Sequence, residues 1–479
     1  MTSDKAPTTK YQAAIMGLNS LQSNAMTIQK MRESRASLQE QNVPQTINFL
    51  VKCGISMKNI DNLHVIHVSG TKGKGSTCAF VESMLRSLGL KTGLYTSPHL
   101  IHARERIRIN SQPISEETFA KHFFDVYDKL SQDTDVQMPA YFKFLTLMAF
   151  HVFLEEKVDV AIIEVGIGGT YDCTNVIQNP VACGITTLDI DHTSILGSTL
   201  PEIAWHKAGI CKAESPCFVT PPSQEAMEVI EKRANEFDAP LIKAPQFSDY
   251  QWPEKGISAG IEGDHQKVNV ALALQLVRQW VKSQGLDDKV FPENNSWKFG
   301  DPFIVPDVFV EAIQNCRWPG RSQIVETSKI RYYLDGAHTP KSMQMCSEWF
   351  GQALKDRNRR RILVFQCTAD RNPLTLLSYL NEHSFDYALF SPTIITVSQD
   401  KCSDISNFNQ STSDQLARSN LCAQIWHDQG NKGSEVFDCV SSLVEWLNEK
   451  SKEDDLDVLV TGSLHLVGGV LSLISSEVA

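Results

Sequence analysis

The chain has 479 residues, with Lys plus Arg at 45 against Asp plus Glu at 56, so its formal net charge is −11. That acidic balance excludes a general nucleic-acid binder and a protein that rests on anionic lipid. Hydrophobic residues are 42% and charged residues 21%, an ordinary globular usage that builds a core without staples, and the length predicts two α/β domains.

Residues 1–45 read as a helix with frayed ends. The segment carries Lys5, Lys10, Lys30, Arg32 and Arg35, but Asp4 and Glu33 interrupt a transit-peptide pattern. As written, the chain reads as cytoplasmic. Met16 and Met26 are candidate internal starts, and a longer isoform targeted to an organelle such as the mitochondrion is compatible with the sequence. The 12 cysteines are scattered from Cys53 to Cys439 without any CxxC, so reduced thiols are expected rather than a disulfide framework or a thiolate metal site.

From Leu63 the pattern becomes strand, turn, helix. Leu63–Val68 predicts a strand, Gly75–Leu88 a helix and Thr92–Thr96 a second strand. Tyr141–Leu154 is apolar enough for a core helix, and Val158–Val165 and Val181–Thr187 are unbroken apolar runs. Such runs are parallel strands covered on both faces, and their alternation with helices predicts a doubly wound, mostly parallel sheet of P-loop type. Residues 281–307, polar with Pro292, Pro302 and Pro306, read as a surface excursion.

Arg317–Arg321 reads as a linker, dividing an expected first domain, 1–316, from a smaller Rossmann-like α/β domain, 317–479. The second set of strands is predicted at Arg331–Leu334, Ile362–Phe365, Tyr387–Phe390 and Val458–Val460. Residues 398–435 read as a long polar loop, and the charge run Lys355–Arg361 as a solvated face. Val458–Ile474 falls short of a membrane helix and reads as a buried strand, a turn and a helix.

The strongest local signal is Val65-Ile66-His67-Val68-Ser69-Gly70-Thr71-Lys72-Gly73-Lys74-Gly75-Ser76-Thr77. A strand runs through glycines into a helix, so backbone amides and the helix N-terminus converge where a phosphate can sit. Lys74 can reach β/γ-phosphates, and Ser76 or Thr77 can face a metal. A tight structural turn is the alternative. The base-reading Asn-Lys-x-Asp of G-type switch proteins is missing, because Asn431-Lys432 is followed by Gly433-Ser434.

Ser97, Glu164 and His192 lie at the carboxyl ends of predicted strands, where open α/β sheets bind ligands. Glu164 is the only charge in Val160-Ala161-Ile162-Ile163-Glu164-Val165-Gly166, which is costly unless it is paired or metal-bound. Taken alone, His192 reads as a core histidine, and Lys207, in an apolar helical stretch, as a snorkelling lysine. The strand Arg104–Ile109 reads as an amphipathic edge before it reads as an anchor for an anionic ligand.

Together these segments resemble the folylpolyglutamate synthases of the Mur ligase superfamily. The resemblance rests on Ser69–Thr77, on Tyr95-Thr96-Ser97-Pro98-His99-Leu100 with Arg104–Asn110, and on Glu164-Val165-Gly166-Ile167-Gly168-Gly169. It continues in Asp191–Gly197, Trp318-Pro319-Gly320-Arg321 and Leu334-Asp335-Gly336-Ala337-His338-Thr339. It implies that Gly73, Lys74, Gly75 and Ser76 hold ATP phosphates, with Arg321 and Asp335 reaching ATP from the second domain and Asn269 near the base. Ser97, Glu164 and His192 look like Mg²⁺ ligands, and Lys207 matches the family lysine that becomes carbamylated and so resembles a carboxylate ligand. His338 and Ser463 fall in segments similar to those near glutamate and the acyl phosphate.

The implied reaction couples ATP to the joining of L-glutamate to tetrahydrofolate and its polyglutamates, in a monomeric enzyme, with Lys74, Lys207 and His338 as the catalytic set. Lys72, Thr339 and Lys143 depart from the bacterial pattern toward the eukaryotic type, which extends folates. Dihydrofolate synthase, or an ATP-binding module without chemistry, is the alternative expectation.

Overall fold

The computed structural model describes residues 7–22, 39–132, 137–253, 257–292, 297–354, 359–368, 371–397, 402, 404, 411–431 and 433–478. Its fold is α/β with two mostly parallel sheets, as the alternating pattern predicts. The first has eight strands: β1 (Ile66–Ser69), β2 (Thr92–Tyr95), β3 (Ile107–Ile109), β4 (Gln112–Pro113), β5 (Val160–Glu164), β6 (Ala182–Ile185), β7 (Cys217–Val219) and β8 (Leu241–Lys243). Their order is β4-β3-β2-β5-β1-β6-β7-β8. β1 is central, parallel to β5 and β6, whereas β2, β3 and β4 meet antiparallel at one edge. All residues of β1, β2, β5 and β6 are buried, which is why β5 and β6 lie in largely apolar stretches of the sequence.

The second sheet contains β9 (Gln323–Glu326), β10 (Ile330–Leu334), β11 (Arg360–Phe365), β12 (Tyr387–Phe390), β13 (Ser434–Val436) and β14 (Leu456–Thr461), in the order β13-β12-β11-β14-β10-β9. Only β9 runs antiparallel to its neighbour. β14 is followed by the helix Leu464–Val478, the strand, turn and helix expected of that apolar stretch. No helix among the described residues is long and apolar enough to cross a membrane.

Four local expectations are corrected. Residues 281–307 are not a surface excursion: Phe291, Trp297, Phe303 and Val305 are buried in the same core as the helices Lys74–Ser87 and Gln266–Ser283. The three prolines shape a coil whose apolar side chains still reach inward. The stretch 398–435 is not one loop, since it holds the helix Thr412–Asp428 and β13. The charge run is only partly solvated, because Arg359 inserts its guanidinium 3.0 Å from the fully buried Asp457; residues 355–358 lie outside the described residues. Finally, Arg104–Arg106 forms a single 3₁₀ turn before β3. At the N-terminus the helix is Lys10–Ser20, and residues 23–38 lie outside the described ones.

The two sheets are held together by contacts that converge on one seam. Leu100, from the loop after β2, is buried in the core of the second sheet with Val467 and Leu471. Asp404 accepts hydrogen bonds from the Tyr11 hydroxyl (2.6 Å) and the Ala103 amide (2.7 Å). Trp349 Nε1 donates to Glu262 Oε2 at 2.9 Å.

Candidate active site

The loop after β1 takes its shape from two glycines. Gly70 (φ 139°) and Gly73 (φ 88°) adopt left-handed backbone, and a Cβ on either would collide with Thr186 or Asn269. The amides of Thr71 and Lys72 both donate to Thr187 O, which ties the loop to the end of β6. The helix Lys74–Ser87 starts immediately afterward, so its positive N-terminal end faces outward from the sheet.

That end opens into a cavity of ≈ 620 Å³ between the sheets. Gly73, Lys74, Gly75, Ser76, Ser97, Glu164, His192, Asn269, Arg321, Asp335 and His338 all contribute to its wall. These positions span the chain from 73 to 338, and the fold gathers them because β1, β5 and β6 end side by side. Lys207 and Ser463 are buried but do not line the cavity. Lys207 sits behind the loop, its Nζ donating to Gly70 O at 2.7 Å. Ser463 lies just ahead of the helix Leu464–Val478 and accepts the Val467 amide at its carbonyl.

Glu164 ends β5 with its carboxylate in the cavity wall. The Ser97 amide donates to it at 2.9 Å, and Lys74 Nζ stands 3.9 Å away. Burial raises the Glu164 carboxyl above the ordinary carboxylate range, against the pull of Lys74. His192 holds a left-handed backbone (φ 51°), a strained conformation of the kind that collects at functional sites. Burial lowers its imidazole to about 4, so it is neutral at pH 7. A buried carboxylate, a serine and a neutral imidazole are donors that fit a Mg²⁺ whose remaining positions go to phosphate and water.

Burial, aided by the Lys74 charge, lowers the Lys207 amine well below its ordinary value. On the opposite wall, Asp335 is held by its own turn. One oxygen accepts from the Ser322 amide (2.8 Å) and the other from the Ala337 amide (2.9 Å). His338 Nδ1 donates to Gly336 O at 2.7 Å, which leaves Nε2 as an acceptor for Lys72 Nζ at 3.1 Å. Asn269 is pinned by Gln266 at 2.8 Å and packs against Gly73.

Three residues in or beside the wall had no assigned role in the sequence reading. Asp191 is the hub, with Lys72 Nζ at 3.0 Å and Arg371 Nη2 at 2.6 Å. It stood in a quoted motif, whereas Arg371 carried no signal at all. Arg106 was grouped with an edge strand, yet it is buried in the wall, bonded to His99 Nδ1 at 2.9 Å and set over the Tyr141 ring. Its neighbour Arg108 follows the edge-strand reading, lying over Trp318. Of the three eukaryotic-type departures, Lys72 and Thr339 make contacts between the sheets, Thr339 Oγ1 bonding Asp189 Oδ2 at 2.9 Å. Lys143 turns away from the cavity to Gln45.

A parallel sheet whose glycine loop faces a second α/β unit across such a cavity has the architecture of Mur-type ligases. A profile described as "Dihydrofolate synthetase, C-terminal domain" matches residues 321–473. The chain is 50% identical to a putative folylpolyglutamate synthase of Caenorhabditis elegans, covering 99% of this chain and 94% of that protein. It is 39% identical to the human mitochondrial folylpolyglutamate synthase over 98% of this chain and 92% of that one. Escherichia coli FolC in complex with DHPP and ADP is similar in fold, with a TM-score of 0.72 at 23% identity over 99% of this chain and all (100%) of that one. A Mycobacterium tuberculosis folylpolyglutamate synthase complexed with ADP and AMPPCP has a TM-score of 0.70 at 21% identity, covering 91% of this chain and 98% of that one. The chain belongs to the folylpolyglutamate synthase family.

Proposed function

We infer that this protein is an ATP-dependent ligase that adds L-glutamate, through its amino group, to the γ-carboxylate of tetrahydrofolate and its polyglutamates. The observation that carries the reading is the convergence of the Gly73–Ser76 loop, Glu164 and Arg321 on one cavity between the sheets, in a chain 50% identical to a family member along nearly its whole length.

A carboxylate is a poor electrophile, so the folate γ-carboxylate first takes the γ-phosphoryl group of ATP. The amino group of glutamate then attacks the acyl phosphate, and phosphate leaves as the amide forms. Lys74, the Gly73–Ser76 amides and Arg321 bind and orient the triphosphate, and Asn269 lies toward the base. Ser97, Glu164, His192 and a carbamylated Lys207 would hold Mg²⁺. When bound, that ion offsets charge on the transferring phosphoryl group. His338, neutral at Nε2, and Ser463 are assigned to the glutamate side. Phe142, Tyr171 and Ile195, apolar members of the wall, suit the flat folate.

The test is a product assay by mass spectrometry with Mg-ATP, L-glutamate and either tetrahydrofolate or dihydropteroate. Successive glutamyl additions to tetrahydrofolate support the ligase. Conversion of dihydropteroate alone would move the assignment to dihydrofolate synthase, a reading favoured only by the name of the matching C-terminal profile. Loss of both products with ATP still bound would leave a binding module. The same reading takes the protein as a monomer, which sedimentation checks. It also takes it as cytoplasmic with a mitochondrial isoform, the latter supported by the names of mammalian relatives and checked by imaging tagged long and short forms.

A further inference from the structure

We propose a second metal site, for Zn²⁺ or a similar transition-metal dication, formed by His122, Asp125 and His151. His122 and Asp125 are one turn apart on the helix Glu116–Ser131, and His151 faces them from the helix Tyr141–Glu155. One ligand atom from each lies within 4.8 Å of the others. None of the three lines the cavity between the sheets.

The independent mark of a ligand is that each imidazole has one bare nitrogen. His122 Nδ1 and His151 Nε2 are buried without a hydrogen-bond partner, on side chains only 2% and 9% exposed. Asp125 Oδ2 approaches them at 3.9 Å and 3.8 Å, too far to bond either. The rings meet edge to face at 5.2 Å, which explains their packing but satisfies neither nitrogen. Two buried nitrogens and a carboxylate oxygen converging without bonding one another are a site built for a cation.

The donor set selects the metal. Two imidazoles and one carboxylate are three protein ligands for tetrahedral zinc, whereas Mg²⁺ prefers oxygen throughout. Tetrahedral ligands ~2.0–2.1 Å from zinc stand about 3.4 Å apart, so Asp125 must close by about 0.5 Å and the two imidazole nitrogens, within 4.8 Å of each other, by at most about 1.4 Å. Its half-exposed side chain can turn that far. Water or Glu155, one turn beyond His151 and exposed, completes the shell. The nearby cations are Lys121 and Lys129, and Lys129 is already directed to Cys53 O.

Bound metal would staple two helices that also meet through their shared apolar core. The helix carrying His151 also carries Phe142, a cavity-wall residue about 14 Å away along the helix axis. The site therefore sets the rigidity of that wall rather than taking part in chemistry.

The test uses chelator-treated full-length protein in excess Mg²⁺, titrated with Co²⁺ as the spectroscopic probe and then with Zn²⁺. The expected result is one equivalent of cobalt with visible tetrahedral absorption, displaced by zinc, and a zinc-dependent rise in melting temperature. His151→Gln and Asp125→Asn should each weaken binding at least tenfold. Asp125 is half exposed, so its variant reports even if the histidine variant fails to fold. Wild-type uptake in Asp125→Asn, no uptake by the wild type, or thiolate charge-transfer bands placing the cobalt on cysteines would each overturn the proposal.

Discussion

Arg371, beyond the strand β11, reaches across the seam to Asp191, after β6, with Nη2 2.6 Å from Oδ1. Lys72 takes the other oxygen at 3.0 Å, and His338 leans on Lys72. One carboxylate thus ties the glycine loop of the first sheet to two residues of the second. With Arg371 removed, Asp191 keeps Lys72, so Arg371→Ala should cost about 1–3 kcal/mol of stability. Turnover should fall further, on the order of 10²-fold, because the seam sets the alignment of the two cavity walls. Steady-state kinetics beside a urea melt check this; equal, small losses in both would place Arg371 outside the alignment of the site.

Lys207 is buried, bonded to Gly70 O, and held toward its neutral amine first by burial and then by the Lys74 charge. A neutral amine is the form that captures carbon dioxide. Labelled bicarbonate should therefore produce one carbamate carbon signal in the native protein that Lys207→Gln lacks. The variant should lose about 10²–10³ in kcat, the scale of removing one charge-stabilising group. A wild-type spectrum without the carbamate signal would remove Lys207 from the proposed Mg²⁺ ligands.

Two histidines outside the proposed Mg²⁺ set, the buried His67 and the partly buried His465, give the fold an acid limit. Burial lowers His67 to about 3 and His465 to about 4. In the unfolded chain both titrate near ~6.5. A folded pKa depressed below the unfolded one means that the stability is fully present above ~6.5 and is lost as pH falls toward the folded values. Each histidine should contribute a slope of about 1.4 kcal/mol per pH unit across that window. Urea melts from pH 7 to pH 4 read the slope, and His67→Gln should flatten it. An unchanged slope would show that other groups govern acid unfolding.

The strands were legible because both faces of each sheet are covered, so β1, β5 and β14 appear in the sequence as largely apolar runs, interrupted at His67 in β1, Glu164 in β5 and Asp457 in β14. The site motifs were legible for a related reason. A glycine at φ 88° or a carboxylate inside an apolar strand has few explanations. What stayed hidden lacked local periodicity. Phe291, Trp297 and Phe303 reach the core from coil. The inward face of the helix Thr412–Asp428 is Gln415, Ser419, Cys422 and Trp426, polar at two of four positions. Arg371 is a lone arginine whose partner lies 180 residues away.

Leu100 offers the sharpest separation of docking from chemistry. It leaves the first sheet just after Ser97 and inserts into the core of the second, beside Val467 and the flat face of Gly468. A Cβ at Gly468 would strike the Leu100 carbonyl, so the helix Leu464–Val478 can pack there only with glycine. Leu100→Ala should cost about 2–5 kcal/mol if the two sheets unfold as one unit, because it leaves a cavity at the seam. Gly468→Val forces the backbones apart instead. It should raise KM for ATP, whose proposed contacts come from both sides, while binding at the glycine loop alone survives. Nucleotide titration beside kinetics distinguishes the two. If Gly468→Val kept wild-type kinetics, the seam would not govern the closing of the ATP site, and Arg321 would have to act without being positioned by it.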